Sequence, residues 1–458
     1  MRRLIATIPL ALAAIAVGAT PAPAQDPGPS VSGAFVPGEV LVGLEGGGER
    51  LVRLPEGESV GEAVRELADD PGVAYANPNY IARAAGVPND PGLFGQPGDW
   101  RRTQWNFLPC GSLCGASPHP FEAKGGIDAQ GAWNLLKKRN ASGGRGVRVA
   151  VLDTGVAFAN RKPVFRRSPD FARDQFAKGR DFVDGGKRAK RTKAHGLPLD
   201  RDGHGTHVTG TIAERTGNRF GLTGLAPKAK IIPVRVLDEQ GFGTAREIAK
   251  GIRFAAKRNA DVINMSFEFA SAVDRCAKIK NVCDAIKLAK KRGAVVVAAA
   301  GNSVGSAVAF PAGAPNVIAV GRTTKDACLA SDTRTGLGLD LVAPGGGLPQ
   351  SPFCGSDDGV FSRSDPIFQL TFVGPGYRTF GYPRDYEGTS MAAAHVSGVA
   401  AMVIASRVLG KHPSPAAVEC QLEGTARRSD LGEAYDAGRF GAGLIEARSA
   451  VASRSAGC

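Results

Sequence analysis

Past its first two dozen residues this 458-residue chain has no apolar run long enough to cross a bilayer, and it shows no internal repeat. A spanning helix needs about 20 apolar residues, so no membrane span is expected in the processed protein. No HExxH sequence is present, which removes a common zinc-protease signature. Cysteine is sparse, eight residues in all, and the Cys110-x-x-x-Cys114 spacing has no second pair to complete a zinc ribbon. Acids are outnumbered, 43 against 57 Lys and Arg, for a formal net charge of +14. The cations crowd into residues 159–201, which read as a solvated surface loop, and no nucleic-acid partner is expected from them.

What is there begins with export. Arg2 and Arg3, the apolar residues 4–17 and Ala22-Pro23-Ala24 have the order of a secretory leader ending at residue 24. The mature protein is therefore expected outside the cytoplasm, extracellular or periplasmic. All eight cysteines follow that leader, and in an exported chain they are expected to form disulfides. Proximity pairs them as Cys110–Cys114, Cys276–Cys283, Cys328–Cys354 and Cys420–Cys458.

Charge divides the chain. Residues 25–85 hold ten acids and four arginines, a net −6, which leaves +18 on residues 86–458 once Arg2 and Arg3 are counted. An acidic segment followed by a basic one favours association of the two. The first segment reads as strand (37–44), helix (59–68, with Val60, Val64 and Leu67 at helical spacing) and extended chain (73–82). Residues 84–98, rich in Gly, Pro, Asn and Asp, read as a cleavable linker. The expected domains are thus a leader (1–24), a small α+β segment with its linker (25–98) and a large domain (99–458).

Within the large domain, residues 147–152, 229–237, 260–264, 294–298 and 317–320 are short, apolar and β-branched, the pattern of buried parallel strands. Residues 246–258 and 283–291 between them read as helices. The expected fold class is a doubly wound, mostly parallel α/β sheet with helices on both faces. Ligands in such sheets lie at the carboxyl ends of strands. Asp153, Asn264-Met265-Ser266 and Gly301-Asn302 all fall at such ends. Residues 159–201 and 345–386 lack sheet character and read as surface insertions.

Three motifs bring an acid, a base and a nucleophile in order: Asp153-Thr154-Gly155, His204-Gly205-Thr206-His207 and Gly388-Thr389-Ser390-Met391-Ala392. A serine hydroxyl is a weak nucleophile until a base takes its proton. Histidine suits that task near neutral pH, and a carboxylate on its far nitrogen fixes the tautomer. Ser390 also opens a helical run, where the dipole and free amides favour developing negative charge. His204 and His207, three apart, would need further ligands to hold a metal.

These motifs, in this order, resemble the subtilisin-like serine proteases, over about residues 37–448. The resemblance implies Asp153 as orienting acid, His204 as base, Ser390 as nucleophile, His207 as structural and Asn302 as the side-chain oxyanion donor. It implies that Gly241 and Gly243, with Ser266, Phe267 and Glu268, line the substrate, with Gly301 beside them and Ala309 as the pocket floor. Glu268 stands where that family has glycine, which places a carboxylate near the pocket and suggests basic or polar substrate side chains. Ala394 stands where it has proline. The strand–helix–strand segment ending in Asn77-Pro78-Asn79-Tyr80 resembles the family's inhibitory propeptide, so a zymogen cut within about 84–100 is expected. The chemistry needs no cofactor. Structural calcium is an expectation of the resemblance, with Asp99, Asp170, Asp181, Asp200 and Asp202 as available ligands. Polypeptide substrates and the chain's own propeptide are the implied partners. An inactive pseudoprotease and a polyanion-binding secreted protein are the competing readings, and the filled chemical positions argue against the first.

Overall fold

The computed structural model describes residues 35–46, 48–80, 88–114, 120–183, 196–351, 354 and 364–458. The leader lies outside the described residues. The chain divides into two compact units at Ala85/Gly86. The first is a three-stranded antiparallel sheet of β1 (Phe35–Leu44), β2 (Glu49–Arg53) and β3 (Val73–Tyr80), ordered β2-β1-β3. A helix, Val60–Ala68, is capped by Ser59, whose hydroxyl accepts from the Glu62 amide. Val40, Val42, Val60 and Ala76 form its small core, with Val64 and Leu67 packed against it.

The second unit carries the expected sheet. Seven parallel strands, β4 (Arg148–Asp153), β5 (Arg180–Asp181), β6 (Lys230–Arg235), β7 (Val262–Met265), β8 (Val295–Ala299), β9 (Ile318–Thr323) and β10 (Leu341–Pro344), lie in the order β10-β9-β8-β7-β4-β6-β5. Alternate residues feed opposite faces, as the pleat dictates. Val149 and Val151 face a core built around the helices His204–Ala213 and Thr389–Ser406, while Ala150 and Leu152 face the helices Ala245–Lys257 and Lys280–Lys291. The Ala245–Lys257 helix starts at a capping box, with the Thr244 hydroxyl and Glu247 carboxylate each satisfying the other's backbone amide. Two strands, β5 and β10, are additions to the sequence reading.

Thr389–Ser406 is, among the described residues, long and apolar enough to cross a membrane, a length the sequence reading missed, but it is buried in the protein core. Its alanines and Gly398 let it lie close to neighbouring elements; a Cβ on Gly398 would meet Leu225 Cδ1 at 2.7 Å. Ala394 is fully buried in an unbroken helix. The four disulfides are those that proximity predicts.

Two expectations are corrected. Residues 88–98 are part of the second unit and not a free linker. Asp90 accepts the amides of Gly217 (2.6 Å) and Asn218 (3.0 Å), and Trp100 donates its indole N–H to the Pro88 carbonyl at 3.0 Å. Gly, Pro, Asn and Asp mark turns in folded loops as well as in linkers. The two insertions are also not purely surface loops. Residues 159–201 supply β5, and residues 345–386 supply a hairpin of β11 (Thr371–Phe372) and β12 (Phe380–Gly381). The insertions meet where Phe165 stacks on Tyr377, ring centroids 5.1 Å apart. Strands of two residues leave no periodic signal to read.

Candidate active site

The register of the sheet brings the site residues side by side. Leu152 of β4 pairs with Met265 of β7, which pairs with Ala298 of β8. Asp153, Ser266 and Gly301-Asn302 follow at the same carboxyl edge. Asp153 is buried, and its Oδ1 accepts from His204 Nδ1 and from the Thr154 amide, each at 2.7 Å. In the neutral ring that contact puts the proton on Nδ1 and leaves Nε2 as the acceptor.

The helix bearing His204 can approach this closely because residue 205 is glycine. A Cβ there would stand 2.1 Å from the Gly155 carbonyl and 3.0 Å from Asp153 Cβ. The loop entering the helix is tied by Asp200, whose Oδ1 accepts from Thr154 Oγ1 (2.9 Å) and from the amides of Asp202 and Gly203 (3.0 Å each). Its Oδ2 takes the Thr206 amide at 2.9 Å. Thr371 donates its hydroxyl to the Gly203 carbonyl at 2.6 Å. Burial disfavours charge on His204, but the carboxylates of Asp153, Asp202 and Asp200 outweigh it and raise the imidazole to about 9.

His207 does not share a ligand with His204. Its Nε2 faces the Ile367 carbonyl at 2.8 Å, and burial drops its pKa to about 3, so it is a neutral structural ring. His395 is likewise buried and neutral, its pKa lowered to about 4, between the Met391 carbonyl and Asn106.

Ser390 lies at the start of the Thr389–Ser406 helix. It is fastened to the end of β7: its Oγ donates to the Ser266 carbonyl at 3.1 Å, and Ser266 Oγ donates to the Ser390 carbonyl at 2.8 Å. Asn264 supports Ser266 from below at 2.9 Å and takes the Ser397 hydroxyl at 2.9 Å. The Ser390 hydroxyl makes no hydrogen bond to His204 in this rotamer. Asn302 Oδ1 accepts both the Thr389 amide (2.8 Å) and the Thr389 hydroxyl (3.0 Å). Because an amide N–H can only donate, this fixes the side-chain orientation and leaves Asn302 Nδ2 as an available donor beside Ser390.

The substrate-lining candidates gather around this edge. Glu268 Oε1 accepts the Asn302 amide at 3.1 Å. Ala309 is buried and donates its amide to the Ala300 carbonyl at 2.7 Å. In the turn after β6, Asp238 occupies both backbone groups of Phe242, taking its amide on Oδ1 (2.9 Å) and donating to its carbonyl (2.8 Å). Among the described residues Gly243 has no backbone partner. Phe242 between the two glycines is 75% exposed.

A second group of acids was only partly legible. Asp90, Asp170 and Glu214 are all fully buried. Asn218 Nδ2 bonds Asp170 Oδ1 at 2.6 Å, while Asp170 Oδ2 and both Glu214 carboxylate oxygens have no partner. Burial and mutual repulsion hold Asp170 and Glu214 well above the usual carboxylate range, and burial raises Asp90 to about 6. Of the other candidate calcium ligands, Asp181 pairs with Arg235 at 2.9 Å and Asp99 takes the Gln96 amide at 3.1 Å. Asp200 and Asp202 belong to the loop before His204. Asp90 and Glu214 were missed because they are scattered through the chain, and only Asp170 was named.

The subtilase family profile matches residues 144–443. Subtilisin BL of Lederbergia lenta is 34% identical over 310 residues, covering 67% of this chain and 91% of that protein. The thermophilic serine proteinase of Bacillus sp. strain AK1 is 32% identical over 345 residues, 75% of this chain and 66% of that protein. An extracellular protease of Xanthomonas campestris pv. campestris is 33% identical over 427 residues, 88% of this chain and 64% of that protein. The chain thus spans just under two thirds of the length of the last two. Among solved structures, a protease from Pseudoalteromonas arctica superimposes with a TM-score of 0.59 at 28% identity, over 80% of this chain and 99% of that one.

Proposed function

This chain belongs to the subtilase family, and from that premise we propose that it is an exported serine endopeptidase made as a zymogen. The observation that carries the reading is the 2.7 Å Asp153–His204 contact at the same sheet edge that holds Ser390 against Ser266.

In the proposed reaction, rotation of the Ser390 side chain turns its hydroxyl from the Ser266 carbonyl toward His204 Nε2. Apo sites often hold this contact open. His204 takes the proton as Oγ attacks the peptide carbonyl, and Asp153 stabilises the resulting imidazolium through Nδ1–H. Asn302 Nδ2 and the Ser390 amide donate to the carbonyl oxygen as it becomes an oxyanion. His204 then gives its proton to the leaving amine, and water repeats the sequence on the acyl-enzyme. Gly241, Gly243 and the segment 266–268 would hold the extended peptide by backbone pairing.

The first unit would act as the inhibitory propeptide. The −6 against +18 division supports this, as does an independent core in residues 35–80. Because Asp90 and Trp100 are built into the second unit, the cut is expected between residues 81 and 88, earlier than the linker composition implies. A relative named as an extracellular protease, with the leader pattern of residues 1–24, supports export.

Asp90, Asp170 and Asn218 are the candidates for a structural calcium: Asn218 bonds both acids, all three carry hard oxygens, and the buried Asp170 Oδ2 has no other partner. Such an ion would neutralise buried charge and has no step in the chemistry. A fluorophosphonate probe tests the central reading. The mature protein should be labelled and Ser390→Ala should not; equal labelling of both would remove Ser390 from the role.

A further inference from the structure

The face of Gly301 that would carry a side chain is packed against three groups. A Cβ there would lie 2.6 Å from Glu268 Oε2, 2.9 Å from Arg334 Cδ and 3.1 Å from the Ala309 Cβ. Gly301 directly precedes Asn302, so this cluster adjoins the proposed oxyanion donor. On the protease reading, which this inference rests on, the substrate side chain just before the scissile bond lies against it. Its walls are the chain ends following β7 and β8.

One anion and one cation line it. Glu268 is pinned by the Asn302 amide at 3.1 Å. Arg334 is pinned on the other side of the same turn: its own amide donates to the Gly301 carbonyl (3.2 Å), Nε to Ser303 Oγ (3.1 Å) and Nη1 to the Ala307 carbonyl (3.2 Å). Every hydrogen-bond acceptor of Arg334 is a neutral oxygen, and among the described residues neither charge forms an ion pair.

We propose that Arg334 determines specificity by offsetting Glu268, so that the pocket selects an uncharged side chain that both donates and accepts, the carboxamide of glutamine or asparagine. A cationic side chain is drawn to Glu268 and repelled by Arg334, and an acidic one meets the reverse. A large aromatic side chain strips water from both charges and returns no hydrogen bond. A carboxamide can donate its N–H to Glu268 and accept from Arg334 Nη2, satisfying both. Of the two charges only Glu268 is legible in a local motif, because Arg334 lies 33 positions beyond Gly301 and only the fold brings it back.

The test compares kcat/KM on four peptides that differ only before the scissile bond, bearing Gln, Lys, Glu or Phe. Wild type should cleave the Gln peptide best. Arg334→Met, which keeps the stem, should raise the Lys-to-Glu ratio by about tenfold or more, and Glu268→Gln should lower it similarly. Arg334→Lys keeps the charge and should leave that ratio near wild type, which serves if Arg334→Met does not fold. A wild-type preference for Phe or Lys over Gln, or a ratio unmoved by the Arg334 and Glu268 substitutions, overturns the proposal. Fluorophosphonate labelling of each protein separates the levels. Labelled protein with unmoved ratios refutes the pocket alone, while protein that neither labels nor cleaves refutes the protease reading beneath it.

Discussion

The imidazole of His207 lies parallel to the phenol ring of Tyr386, 4.1 Å between centroids and 5° between planes. This contact, with the Thr371 bond to the Gly203 carbonyl and the Ile367 carbonyl at His207, ties the helix that bears His204 to residues 367–386. The second insertion is thus part of the site's frame. It braces the helix that carries His204.

Removing that frame should loosen His204 without touching the substrate. Tyr386→Ala should lower kcat by about 10–100-fold through misplacement of the base, with a smaller change in KM. Tyr386→Phe keeps the stacked ring and should recover most of the loss. Equal losses in kcat and KM for both variants would show that the ring contacts substrate and does not act through the histidine.

The acid–base behaviour follows from Asp153. Burial opposes the charge on His204, but the neighbouring carboxylates raise it to about 9. A general base works only when neutral, so kcat/KM should rise with pH along a limb centred near 9 and fall as the medium is acidified. The same shift has the opposite sign for folding. A raised histidine stabilises the fold below its unfolded value, and that stabilisation is lost as pH climbs through the folded value. Asp153→Asn should move the activity limb to lower pH and cost about 10⁴ in kcat. A pH–rate profile of the two proteins checks both statements.

Much of this was legible because the parallel strands are short β-branched runs and because the catalytic motifs are local. Val149 to Leu152 could be read as buried on both sides, and Asp153 follows them directly. The rest depends on long-range contact. Leu341–Pro344 is a strand of four residues ending in proline, a poor strand signal. Arg334, Thr371 and Tyr386 reach the site from loops whose composition says only that they are loops. The acids at 90, 170 and 214 are far apart in sequence, and their shared burial is visible only in three dimensions. Residues 88–98 show the converse error, since turn residues do not tell a folded loop from a tether.

The buried acids predict a response to metal. Without a cation, burial and mutual repulsion favour the protonated form of Asp170 and Glu214, and a bound cation would stabilise the ionised form instead. Calcium at about 100 times its dissociation constant should add about 2.7 kcal/mol of stability. Thermal melting of Ser390→Ala protein, which cannot digest itself, should shift upward with calcium and back with chelator. Asp170→Asn should shrink that shift, and an unchanged melting temperature would leave the group as a set of protonated carboxyls.

The proposed triad of Asp153, His204 and Ser390 should behave as a unit. Ser390→Ala is expected to reduce turnover by about 10⁶, and adding His204→Ala should cost little more, because each residue works only through the other. Additive losses would mean that the two act on separate steps.

The last prediction concerns maturation. If the cut between residues 81 and 88 is made by the enzyme itself, Ser390→Ala should accumulate as a precursor that retains residues 35–80. Active wild type should begin within a few residues of Pro88, since Asp90 must stay bonded to the Gly217 and Asn218 amides. Cutting beyond Asp90 would free those two donors and remove one of the buried acids, so a product starting near residue 99 should melt lower than one starting near 88. N-terminal sequencing of the secreted protein decides the position. An active enzyme still beginning at Gln25 would refute the zymogen, and processed Ser390→Ala protein would assign the cut to another protease.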